Sequence, residues 1–168
     1  MTEQNALQLR DNAKYQLEQI KDIESGIDYL NKVKAIETWA KAEKKDAELQ
    51  NMIAEQKIRT QRILGNLIRE GQERGEIASH QSFRGNQHED NSREELSKPR
   101  TLSDVGLTAK QSHVFQKIAD ITEETFEGFI REKKQAVDNI VAKIAAIKAI
   151  FALITDIMTA MNDKMSSM

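Results

Sequence analysis

The pattern that could do chemistry is a short run of hydrogen-bonding side chains on one predicted helix. Within Thr101–Ile121, the residues Lys110, Gln111, Ser112, His113, Gln116 and Lys117 are set among the apolar Val114, Phe115 and Ile118 at helical spacing. Short and medium donors and acceptors on a helix face are the groups that reach base edges in a DNA major groove. The chemistry expected is therefore recognition. Arg100, Thr108 and Lys117 are the residues expected to hold phosphates, while Lys110, Gln111, Ser112, His113 and Gln116 read bases. The same arrangement, two helices joined at a glycine, also serves plain packing.

Local signals place that helix in a helix-turn-helix. Thr101 and Asp104 have the spacing of a capping box and start a short first helix. Gly106 supplies a left-handed stop, and Leu107 is the apolar residue inside the turn. Thr108 caps a second helix from Ala109 to about Ala119, with Val114, Phe115 and Ile118 turned to the core.

Bulk properties limit what this surface can achieve. The chain has 168 residues, 31% of them charged and 5% aromatic, with one Pro and seven Gly, which describes a helix-rich protein. Lys+Arg 25 against Asp+Glu 27 leave a net charge of -2, too low for strong non-specific attraction to phosphates. With no Cys, disulfides and thiolate metal sites are excluded. The polar N-terminus lacks an apolar signal core, so the expected location is the cytoplasm.

Several helices must position the surface. Residues 3–24 read as a first helix carrying Leu7, Leu9, Tyr15, Leu17, Ile20 and Ile23. Ser25, with Asp28 three residues on, caps a second helix to about Glu43, whose stripe is Ile27, Leu30, Val33, Ile36 and Ala40. A third helix, about Asp46–Arg74, has Leu49, Ile53, Ile63 and Leu67 on a seam interrupted by Gln56 and Thr60. Helices two and three pair as an antiparallel hairpin. The basic run Lys57, Arg59, Arg62, Arg69 and Arg74 reads as a solvated face with ion pairs, or as a contact for phosphate or a partner. Residues 75–100 are a polar linker without periodicity. His80, His88, Glu89 and Asp90 within it are weak metal-ligand candidates, and neither a metal nor a cofactor is expected.

After Thr122 a last helix runs almost to the end. Ile130, Val137, Ile144, Phe151, Met158 and Met165 fall on one heptad position; Ile140, Ile147, Ile154 and Met161 fall on the other, with Lys133 as a polar intruder. Isoleucine at both positions favours three or four strands over two. Self-association, packing against the N-terminal hairpin and a membrane role compete for this face. Lys148 and Asp156 cut the apolar run short of the ~20 residues a span needs.

The segment AEQKIRTQRILG (54–65), the polar linker and TLSDVGLTAKQSHVFQKIADITEETFEGFI together resemble small proteins of phages, plasmids and integrative elements that have no assigned activity. Glu55, Arg59, Arg62, Leu64 and Gly65 match the first motif of that family. Thr101, Leu102, Asp104, Gly106, Lys110, Gln111 and Ser112 match the second, and Glu123, Glu124 and Phe126 its acidic-Phe tail. Gln61 stands where the family usually has Glu. The second motif also resembles the helix-turn-helix of ParB-type partition proteins, although the N-terminal nucleotide-binding motifs of ParB are lacking. The resemblance implies a mobile-element protein acting as a DNA-binding regulator or a replication or partition accessory.

The combined expectation is an all-α protein: an elongated helical hairpin (1–74), a flexible linker (75–100), a helix-turn-helix (101–122) and a long C-terminal coiled-coil helix (123–168). It is expected to be a homo-oligomer rather than an enzyme, since no Gly-rich phosphate loop, H-E-x-x-H or nucleophile elbow appears. The alternative is a helical interaction protein that binds or blocks a host protein, or scaffolds an assembly.

Overall fold

The structure, a computed structural model, describes residues 12–79 and 99–166. The start of the expected first helix and the linker residues His80, His88, Glu89 and Asp90 lie outside the described residues. The described chain is all-α. Helix α1 covers residues 12–18, α2 Ile23–Ala42, α3 Ala47–Glu73, α4 Ala109–Ala119 and α5 Glu123–Ser166. Two units are distinguished, Met1–Phe126 and Glu127–Met168.

The first unit is built on the α2–α3 hairpin. α2 begins three residues earlier than the Ser25 cap expected from sequence. Asp22 is the N-cap: its carboxylate accepts from the Ser25 backbone N–H at 2.7 Å, and the Ser25 hydroxyl accepts from the Asp22 N–H at 3.3 Å. Those hydrogen bonds hold the Asp22 carboxyl below its usual range. α1 therefore stops before residue 20 instead of running to 24.

Both hairpin helices end in a Schellman motif. At the end of α2, Lys45 N–H donates to Ala40 O at 2.9 Å and Lys44 N–H to Lys41 O at 3.2 Å, with Lys44 left-handed at φ 49°. At the end of α3, Glu76 N–H donates to Gly71 O at 2.8 Å, and Gly75 occupies the left-handed place at φ 71°. The first site puts a Cβ where the second has a glycine, at a conformational cost. Glu37 on α2 then bridges the pair, meeting Lys41 at 2.7 Å and Lys57 of α3 at 2.6 Å.

Gln56 and Thr60 do not interrupt the seam of α3; they are part of it. Ile53, Gln56, Thr60, Leu64 and Ile68 are buried, and Ile63 and Leu67 flank them. The polar pair is satisfied from within: Thr60 Oγ1 donates to Gln56 O at 2.7 Å, and Tyr29 OH donates to Gln56 Oε1 at 3.4 Å. One apolar cluster gathers Ile20, Tyr29, Val33, Ile36, Ala40 and Ile53. The other joins the hairpin to the segment around α4: Ile23, Leu30, Leu64, Ile68, Ile77, Val105, Leu107 and Phe115.

Ile77 and Arg100 lie within the span whose composition suggests a linker, yet they pair as an isolated parallel bridge. Ala78 N–H donates to Arg100 O, and Arg100 N–H to Glu76 O, both at 2.8 Å. Ile77 is buried, so both edges of the expected linker belong to the hairpin's fold.

Candidate functional site

The expected first helix of the helix-turn-helix is a single turn. Its start signal is present: Thr101 N–H donates to Asp104 Oδ2 at 2.7 Å, and Asp104 N–H to Thr101 Oγ1 at 3.2 Å. Its stop signal is present too, with Gly106 at φ 75° and Leu107 N–H closing on Leu102 O at 2.8 Å. The two signals stand so close that there is no room to propagate a helix. The N–H donor of Thr101, with Arg100 nearby, holds the Asp104 carboxyl below its ordinary value.

α4 itself has the expected bounds, but its faces are rotated from expectation. Ser112 and Phe115 are its buried residues, whereas Val114 is 43% exposed. The cause is the crossing of α4 over α3 at Gly65. A Cβ on Gly65 would sit 2.2 Å from Phe115 O and 2.9 Å from Ala119 Cβ. Helices that approach this closely need small side chains at the contact, and the small Ser112 and Ala119 share the Phe115 side of α4.

That rotation redistributes the residues expected to bind DNA. Thr108 and Gln111 form the capping box of α4: Gln111 Oε1 accepts from the Thr108 backbone N–H at 2.9 Å and from its hydroxyl at 2.8 Å. Ser112 is buried and accepts from Gln116 Nε2 at 3.0 Å. Arg100 pairs with Glu24 at 2.5 Å. Lys110, His113 and Lys117 are exposed, and with Val114 they make the outward face of α4. The eight residues do not form one reading surface.

The basic run of α3 makes the expected i,i+4 ion pairs at Arg59–Glu55 and Arg74–Glu70, but sequence reasoning missed its contacts with residues distant in the chain. Arg62 donates to Ile121 O at 2.8 Å, pairs with the Glu123 carboxylate and lies over the Phe126 ring, 4.5 Å from its centroid. Arg59 pairs with Glu55 at 2.8 Å and sits 5.6 Å from the same ring. Arg69 pairs with Asp120 and donates to Gln116 O at 3.4 Å. Cations thus meet the carbonyl end of α4, where the helix dipole is negative, and a carboxylate in the first turn of α5. Phe126, 2% exposed, is held beneath them. The usable signal was the spacing 59, 62 and 69, which puts three arginines close to one side of the helix.

The second unit presents a different surface. α5 runs to Ser166. Ile140, Val141, Ile144, Ile147, Ile150, Phe151, Leu153, Ile154, Ile157, Met158, Met161 and Met165 are all exposed, from 46% to 71%. Ile130 and Val137, nearer its start, are half-buried. Covering such side chains is worth roughly 1 kcal/mol each, taking half of the ~1.5–3 kcal/mol for full burial. Exposed apolar patches of this extent are found in general where proteins meet partners or membranes. Lys143, Lys148 and Asp156 punctuate it, and among the described residues no helix is long and apolar enough to cross a membrane. Nor do three His, Asp or Glu side chains come close enough to hold a metal ion among those residues.

Comparison with known proteins returns no matching family model, no matching curated protein and no matching solved structure.

Proposed function

We propose that this chain is a helical interaction protein that assembles with copies of itself through the apolar face of α5. The observation that carries the reading is the run of exposed Ile, Phe and Met at alternating spacings of three and four from Ile140 to Met165. In water a helix with that seam gains by burying it against an equivalent seam, and isoleucine at both core positions favours three or four strands. Light-scattering mass over a wide concentration range tests the reading. A mass several times that of one chain is expected; a constant single-chain mass at high concentration overturns it.

A second reading keeps DNA as a ligand. Lys110, His113 and Lys117 remain outward on α4, and an oligomer would present several such weak basic faces at once. The net charge of -2 and the internal use of Gln111, Ser112 and Arg100 count against it. A gel shift at low salt decides. A retarded band that is lost in Lys110→Ala/Lys117→Ala supports DNA recognition, and no band leaves assembly as the function.

A further inference from the structure

We infer that the copies meet through α5 in antiparallel order, and therefore in an even number. The inference rests on the self-association proposed above and adds its direction and register. With Ile144, Phe151 and Met158 at heptad position a and Ile147, Ile154 and Met161 at d, the flanking positions between 144 and 161 carry opposite characters, whereas just before that span the order is exchanged, with Lys143 at g and Val141 at e. Flank g holds Ile150 and Ile157, and Leu153 borders it. Flank e holds Lys148 and Thr155.

Parallel helices pack g of one strand against e of the next, five residues on. That order would set Ile150 against a neighbour's Thr155 and Ile157 against its Asn162, so each exposed isoleucine would meet a polar side chain. Antiparallel helices pack g against g and e against e. In the register that aligns Ile144 with Met161, Ile147 with Met158 and Phe151 with Ile154 of the second copy, every central layer is apolar. The same register sets Ile150 beside the second copy's Ile157 and leaves Lys148 with Thr155 on the other flank. It also brings Lys148 level, within one residue, with the second copy's Asp156, so opposite charges share a height along the polar side. Antiparallel order opposes the helix dipoles as well.

The breadth of the face extends the argument to four chains. A pair covers a, d and g on one side only. Four helices in alternating direction enclose the a and d layers and join through g–g and e–e contacts in turn, with closed dihedral symmetry.

Cysteine cross-linking in the full chain, which has no Cys of its own, reads the order directly. Ile147→Cys and Met158→Cys are made separately, mixed after unfolding, refolded and oxidised. In the antiparallel register the two positions face each other, and the mixture yields a several-fold excess of 147–158 disulfide dimer over either variant alone. Identical cysteines at 147 would stand eleven residues apart along the axis between adjacent helices, about 16 Å, beyond the ~7 Å that a disulfide spans; in the four-chain arrangement the copies at equal height lie diagonally across the core, on axes about 13 Å apart. Ile144→Cys with Met161→Cys reads a second layer should the first pair disturb packing. An oligomer in which Ile147→Cys couples to itself, or in which neither mixed pair couples, overturns the antiparallel register while leaving self-association standing. A single-chain mass of the unmodified protein overturns self-association itself.

Discussion

Replacing Gly65 by alanine should destabilise the first unit, although alanine is the better helix former. A Cβ there would lie 2.2 Å from Phe115 O and 2.5 Å from Phe115 C, both backbone atoms of α4. Ordinary contact between such atoms is ~3.5 Å, so α4 would have to retreat by about 1 Å. Retreat loosens Phe115 in the core and pulls on the Arg62 and Arg69 contacts at the end of α4. Overpacking of this kind costs about 1–3 kcal/mol, and more where backbone rather than a flexible side chain must move. The gain in helix propensity returns at most about 1 kcal/mol. The net expectation is a loss of about 2 kcal/mol, or roughly 5–10 °C in the melting temperature of a unit this size. Gly128 is the control: it lies in α5 with nothing within 4 Å of its would-be Cβ. Gly128→Ala should be neutral or stabilising. Urea unfolding followed by circular dichroism measures both. A Gly65→Ala protein as stable as the parent, or more stable, would refute the close crossing of α3 and α4.

Three further outcomes are expected. Arg62→Met should cost about 1–3 kcal/mol in urea unfolding, because it removes a charged donor from Ile121 O and a cation from the Phe126 face; added salt should recover only part of the difference, since the stacking is not screened. Lys44→Gly should stabilise by roughly 0.5–1 kcal/mol by relieving a side chain at φ 49°, read as a rise in the urea midpoint. Burial pushes the Tyr29 hydroxyl up to about 12, so the unfolded chain ionises first above pH 10. Stability should therefore fall between pH 10 and 12, by at most about 2.7 kcal/mol, and Tyr29→Phe should remove that part of the alkaline loss in a pH series of melts.

The fold is most legible in the sequence where a local signal acts alone. Thr108 caps α4 as expected, Asp46 is the N-cap rather than the first residue of α3, and the hairpin and the long last helix have nearly the expected bounds. It is least legible where tertiary contact overrides type. Gln56 and Thr60 are polar and by type suggest breaks, yet inside the core the Thr60 hydroxyl donates to the Gln56 carbonyl and the Gln56 side chain accepts from Tyr29. Ser112 has the chemistry of a surface donor, but it is buried on the side of α4 that carries Phe115, and the larger Val114 is turned outward. Cap and stop signals at Thr101 and Gly106 are both present, and their nearness reduces a helix to one turn. The arginines of α3 look like solvent-facing charge because their partners, Asp120, Glu123 and Phe126, lie some fifty to seventy residues away in sequence.

Hydrogen exchange of the α5 backbone between residues 140 and 161, monitored as the protein is diluted, addresses the central claim most directly. A helix that buries its apolar seam against other copies is protected at high concentration, and the protection fades on dilution together with the mass. Exchange in this segment that stays fast at every concentration, or protection that persists in a single chain, would contradict assembly through α5.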